Sequence, residues 1–250
     1  MVTLDLLVII FSLIFGSFFN VVAIRLLKKE SISYPPSHCT TCSHRLGALD
    51  LVPVFSYIFL RGRCRYCKDK ISPSYPLGEG FTAVTIFIVY KEIGITPELI
   101  PALILSILLI LAVLTDIREK LILDIITIPC LIILLIVRIF IGEEPFLTYL
   151  IGGLTGFVVL LLIAVISKGG MGGGDIKLYA VIGVALGPLL TIMSLVIASF
   201  FGAVVGIVLL TLKIVKRREP IAFGPFIFVG TLLAYLYGNH IWNWYSSLIF

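Results

Sequence analysis

Charge is scarce in this chain: Asp, Glu, Lys and Arg make up 13% of its 250 residues, against 60% hydrophobic residues and a mean hydropathy of +1.16. So little charge excludes a water-soluble domain of this size and predicts a polytopic membrane protein. Long polar stretches are also lacking, and residues 28–74 are the one loop of any size. The first apolar run has no small-residue cleavage site and is longer than the core of a secretion signal, so it is expected to be retained as a helix. Internal repeats are not evident, and no acid falls near the middle of a span.

What is present is a series of apolar runs. Eight helices are expected, over residues 2–26, 77–90, 99–115, 121–140 and 146–166, then two between 176 and 212 that part at Gly187-Pro188, and one over 221–237. The second is short and contains Glu79. The bases Arg25, Lys28 and Lys29 follow the first run, the 28–74 loop is rich in Arg and Lys, and Lys213, Lys216, Arg217 and Arg218 follow the seventh. Cytoplasmic loops carry the excess of Lys and Arg, so these ends are predicted to lie inside and both termini outside. Only Lys91 and Arg138 of the nineteen bases then fall on or near the outer side. Arg25 and the loop bases serve that orientation, or attract anionic lipid. The expected fold class is all-α, with a first helix in 1–27, a cytoplasmic loop in 28–74 and a further membrane domain in 75–250.

Within that topology the stretch from Gly169 to Asp175 stands out, with five glycines and one carboxylate at the mouth of an apolar run. An acid near hydrocarbon is costly and so a candidate for function. The plainer reading is a loop whose Asp175 caps the next helix. A second acid, Asp116, ends the third span on the same side and hence at the same depth. Two carboxylates at one depth, if brought together, can share a proton, one acting as base toward water while the other donates to a carbonyl oxygen. That arrangement needs no Ser or Cys nucleophile and no catalytic metal. By chain direction alone, Asp175 begins a helix and Asp116 ends one, so Asp116 is expected to hold the shared proton and Asp175 to act as the base. Lys177 lies two positions after Asp175 and points to the other side of a helix, which argues against a direct pair.

The loop cysteines carry a separate signal. Cys39, Cys42, Cys64 and Cys67 form two Cys-x-x-Cys pairs at nearly zinc-ribbon spacing, and four thiolates satisfy a tetrahedral structural zinc. A cytoplasmic location disfavours disulfides. His38 and His44 adjoin the first pair as bystanders, and Cys130, inside an apolar run, reads as a packing residue.

These residues together resemble the prepilin peptidases, or type IV leader peptidases, membrane aspartic proteases of the GxGD type. Gly-Ser-Phe-Phe-Asn-Val-Val at 16–22 with Arg25 is similar to the family's first-helix motif, and Met171 to Leu178, carrying Gly172, Gly173, Gly174 and Asp175, to its second aspartate signature. Thr115-Asp116-Ile117 resembles the segment of the first aspartate, with Asp124 matching a further acid. The paired cysteines, Tyr75-Pro76-Leu77 with Glu79, and Phe223-Gly224-Pro225 fall in family order. Leu123 departs from the proline that many members carry there.

The resemblance implies a two-step enzyme of the bacterial cytoplasmic membrane. It would cut a short basic leader from pilin-like or pseudopilin precursors, for pilus assembly or protein secretion, then methylate the new N-terminus with S-adenosylmethionine. Asp116 and Asp175 would be catalytic, and Gly62 matches a glycine used in methyl transfer. Nothing in the chain reads as a soluble Rossmann methyltransferase, so the second activity rests on the resemblance alone. Membrane lipids are expected partners and nucleic acid is not. The alternatives are a multi-spanning transporter, which should show repeats or acids at mid-bilayer, and a non-catalytic assembly subunit, which would need neither aspartate.

Overall fold

A computed structural model describes residues 2–216 and 221–249, so the expected inner bases Arg217 and Arg218 lie outside the described residues. Within these, the chain is helical: α1 (Val2–Leu27), α2 (Phe55–Phe59), α3 (Ser74–Ile93), α4 (Leu99–Glu119), α5 (Asp124–Phe140), α6 (Phe146–Ile166), α7 (Gly173–Leu186), α8 (Pro188–Thr211) and α9 (Gly224–Ile249). Each of the eight apolar runs forms a helix. Four of them, α1, α4, α6 and α8, are long and apolar enough to cross a membrane. The second apolar run forms α3, which is longer than hydropathy alone predicts, because Pro76 falls in its first turn, where a missing N–H costs nothing. The break at Gly187 is sharper than a loop: α7 ends at Leu186, Gly187 takes φ 77°, and Pro188 opens α8.

Contacts divide the chain into two compact units, residues 1–91 and 92–250. In the first, α1 and α3 meet through small residues. A methyl on Gly16 would stand 2.9 Å from the Cα of Glu79, and Asn20 donates to the carbonyls of Gly16 (3.2 Å) and Tyr75 (3.1 Å). Arg25 is buried and donates to the carbonyls of Ser31 (3.0 Å), Ile32 (2.9 Å) and Pro35, so its guanidinium holds the start of the loop.

In the second unit α7 is the central element: Leu178, Tyr179, Val181 and Ile182 are fully buried. Its backbone lies directly on that of α6. A methyl on Gly152 would fall 2.2 Å from the Gly183 carbonyl oxygen, and one on Gly156 equally close, at 2.2 Å, to that of Tyr179. Side chains are excluded from this seam, which sets the antiparallel register of the two helices. Helix α8 packs on α9 in a similar way, with Gly230 against the Ser194 carbonyl and Ala198, and a hydrogen bond of 3.1 Å joins Ser194 to Thr231.

Candidate active site

Asp116 lies in the last turn of α4, buried, three residues before the helix ends. Asp175 is the third residue of α7 and is half-buried. Its carboxylate lies beside Gly172, the residue that caps α7: a methyl on Gly172 would stand 3.1 Å from Asp175 Oδ2. The turn of α7 that carries Asp175 closes on the chain just after α4. Gly174 permits this approach: a methyl there would lie 2.9 Å from the Cβ of Ile122 and 3.1 Å from its carbonyl oxygen, in the turn that follows α4. The first turn of α7 is thereby seated against the end of α4. Gly172 and Gly173 are exposed, leaving the entrance to Asp175 lined by backbone.

A third group completes the arrangement, and sequence reasoning missed it. The backbone N–H of Gly224, at the start of α9, donates to Asp116 Oδ2 at 2.6 Å. A methyl on Gly224 would stand 2.8 Å from that same oxygen. Asp116 therefore meets the N-terminus of another helix as well as the carbonyl end of its own. Chain direction alone does not separate the two aspartates, and the expectation that Asp116 holds the proton loses its premise. The available signal was the Phe223-Gly224-Pro225 motif, a glycine where a helix begins.

Asp124 and Lys177 form an ion pair of 2.6 Å between α5 and α7, with both side chains about half exposed. Lys177 thus turns away from Asp175, as its spacing requires, and Asp124 meets a lysine instead of the dyad. Tyr179, one turn after Asp175, is fully buried, and its hydroxyl accepts from Ser194 at 3.4 Å.

The far ends of α4 and α7 are tied together as well. Arg138 donates to both carboxylate oxygens of Glu98, at 2.7 and 2.8 Å, and to the carbonyl of Ala185 near the end of α7. Its guanidinium lies 4.4 Å from the centre of the Tyr149 ring, and Tyr235 donates to Glu98 at 2.6 Å. Arg138, read from the sequence as an outer-side base, is a buried tie among five helices.

In the first unit, the loop gathers all four cysteines: the sulfurs of Cys39, Cys42, Cys64 and Cys67 lie within 4.8 Å of one another, with Cys39 and Cys67 3.8 Å apart. A tetrahedron with Zn–S of about 2.3 Å places sulfurs about 3.8 Å apart, so the set fits zinc. The pairs sit on two matching turns, closed by the bridges His38–Arg45 and Arg63–Lys70. In each turn the first cysteine's N–H is bonded across the turn, Cys39 to His44 (3.0 Å) and Cys64 to Asp69 (2.8 Å), and the residue after the second cysteine, Ser43 or Lys68, has positive φ. The backbone N–H groups of Cys42 and Thr41 draw the Cys39 thiol down to about 6. Cys67 accepts the Asp69 N–H but is crowded by the other three sulfurs and is pushed up to about 12. Four thiols this close cannot all ionise without a cation among them.

Gly62 lies next to the second turn. It has φ 67° and is buried under Tyr57, whose hydroxyl would be 2.9 Å from an added methyl. Glu79 is also buried and bonded: it accepts the N–H of Val54 at 2.7 Å and pairs with the Ser17 hydroxyl. That is a structural contact within the first unit. Cys130 is half-buried, as a packing residue would be.

Comparison with known proteins gives a consistent result. A family model described as the bacterial peptidase A24 N-terminal domain matches residues 10–93, and one described as the type IV leader peptidase family matches residues 103–207. Curated relatives match along nearly the whole chain. A prepilin leader peptidase/N-methyltransferase of Bacillus subtilis is 37% identical, covering 96% of each chain. Those of Aeromonas salmonicida and Pseudomonas putida are each 33% identical, covering 97% and 93% of this chain and 94% and 90% of their own. No solved structure matches. With the glycine-flanked aspartate, its partner acid and the four-cysteine loop in their expected places in the sequence, and relatives above 30% identity over the full length, this chain belongs to the type IV leader peptidase family.

Proposed function

We propose that this protein is a membrane aspartic peptidase that removes the basic leader of type IV prepilin-like precursors and then N-methylates the exposed amine. The observation that carries the reading is the seating of the first turn of α7, which holds Asp175, against Ile122 just past the end of α4, which holds Asp116 under the Gly224 N–H. One carboxylate takes a proton from water as the water oxygen bonds to the scissile carbonyl carbon, and the other, protonated, donates to the carbonyl oxygen. The tetrahedral species then collapses: the C–N bond breaks, the leaving nitrogen takes a proton, and the dyad returns to its starting charge. No metal enters this sequence. The exposed backbone of Gly172 and Gly173 leaves room for an extended substrate to approach Asp175.

The four cysteines would hold a structural zinc that fixes the loop. S-adenosylmethionine would supply the methyl group, with Gly62 as the matched family position. The eight helices are proposed to span the bacterial inner membrane, with the aspartates and the cysteine loop on the cytoplasmic side, as the basic residues direct. Incubation of the purified enzyme with a synthetic precursor, with and without S-adenosylmethionine, tests both activities by mass. Loss of the leader in both samples and a gain of one methyl only with the cofactor is expected. An intact precursor in both would end the peptidase reading.

A further inference from the structure

Hydropathy of the spans does not account for the apolar surface of the loop. Leu49, Leu51, Val52, Phe55, Ile58 and Phe59 all lie exposed, Phe59 at 83% and Leu49 at 73%. Five of these lie between Leu49 and Ile58 and one ends α2, so they form one short continuous stretch. Its other side is anchored. Tyr57 lies beneath Gly62, and Val54 N–H is held by Glu79. Glu79 is the sixth residue of α3, and its Cα packs on the position of Gly16 in α1. Gly16 lies eleven residues, about 16 Å, short of Leu27 at the basic end of α1. The apolar stretch is therefore pinned beside the membrane helices, well below the end of α1, instead of standing out in water. Just after it come Arg61 and Arg63, both exposed; the ion pair among the described residues of this loop joins Arg65 to Asp50.

We infer that residues 49–59 are a lipid-inserted segment, whose apolar side chains enter the leaflet that meets the basic end of α1 while Arg61 and Arg63 rest on anionic phosphates. An apolar face beside basic residues is what an interfacial segment requires. Tethering at both ends to α1 and α3 holds it at the surface without further affinity. The four-cysteine module is thereby fastened to the bilayer at a third point. This inference does not depend on the reaction proposed above.

The test uses the full-length protein in vesicles of phosphatidylethanolamine and phosphatidylglycerol, with a phospholipid carrying a diazirine in its acyl chain. After irradiation, lipid adducts are expected on peptides covering 49–59 as well as on α1, and Phe59→Glu with Ile58→Glu should remove the first set at least five-fold while α1 labelling and zinc content persist. Labelling of α1 without 49–59 would overturn the inference. So would p-benzoylphenylalanine placed at position 59 capturing an added precursor peptide in preference to lipid, since the patch would then be a substrate surface. Omitting phosphatidylglycerol should lower the 49–59 adducts at least two-fold; an unchanged yield would remove the role given to Arg61 and Arg63.

Discussion

The Gly224 N–H and Asp116 Oδ2 are 2.6 Å apart across 108 residues of sequence. This contact joins the start of α9 to one of the two proposed catalytic acids. Gly224→Ala is expected to displace that oxygen, because the added methyl would stand 2.8 Å from it. Cleavage should fall about ten-fold or more, equivalent to about 1.4 kcal/mol of barrier. Initial rates on a synthetic precursor, with elution volume as a check on folding, decide the matter; an unchanged rate would remove Gly224 from the site.

Asp116→Asn and Asp175→Asn should each abolish cleavage, since Asn keeps the shape but cannot exchange the proton. Asp124→Asn should behave differently. Its partner Lys177 and itself are about half exposed, and such pairs contribute at most about 1 kcal/mol. A rate loss below about five-fold is expected, matched by Lys177→Met and not deepened in the double variant. Cleavage by Asp175→Asn at even a tenth of the native rate would sink the dyad.

The cysteine loop should hold one zinc per chain in protein purified under reducing conditions, measured by elemental analysis. Replacing any one of Cys39, Cys42, Cys64 or Cys67 by Ser should lose the metal and make residues 28–74 sensitive to limited proteolysis. Leader cleavage should suffer less than loop integrity, because both carboxylates lie elsewhere. A protein without zinc whose loop still resists protease would show that the sulfurs need no ion.

Arg138→Gln should destabilise the protein by about 3 kcal/mol or more, the usual result of leaving one member of a buried ion pair alone. Here the stranded member is Glu98, still bonded by Tyr235. The paired change Arg138→Met with Glu98→Leu should recover much of the loss. Thermal unfolding in detergent reads both, and equal destabilisation by the single and the double variant would contradict the account.

Much of this fold was legible in the sequence, because hydropathy reports burial in lipid directly. The eight helical segments, the break at Gly187-Pro188 and the grouping of four cysteines follow from run length, turn chemistry and spacing. What hydropathy could not reveal were contacts made by groups it does not weigh. Gly224 acts through its backbone, and its partner is distant in sequence. Arg138 read only as a base near the outer side, because a lone base near a helix end gives no hint that Glu98 and Tyr235 converge on it. Glu79 is similar: its place near a helix start gives no sign that it is a buried acceptor for the Val54 N–H.

The seam between α6 and α7 has a consequence for the lipid around the enzyme. Gly152 faces Gly183 and Gly156 faces Tyr179, so by the same antiparallel register Asp175 is level with Leu160. Helix α6 continues to Ile166, about 9 Å past that level. On the other flank, Gly202 of α8 lies near Phe223, beside the start of α9, and α8 runs on to Thr211, about 13 Å further. The carboxylates thus lie at the bottom of a notch between two taller apolar helix ends. If hydrocarbon rose to the full height of those ends, water and a basic leader would be shut out from the two proposed catalytic acids, and a leaflet thinned around α7 would admit them. Deforming a bilayer costs fractions of a kcal/mol per Å of mismatch. Turnover should therefore track acyl-chain length, faster in thin membranes and slower in thick ones, which makes bilayer thickness a reaction variable for this peptidase.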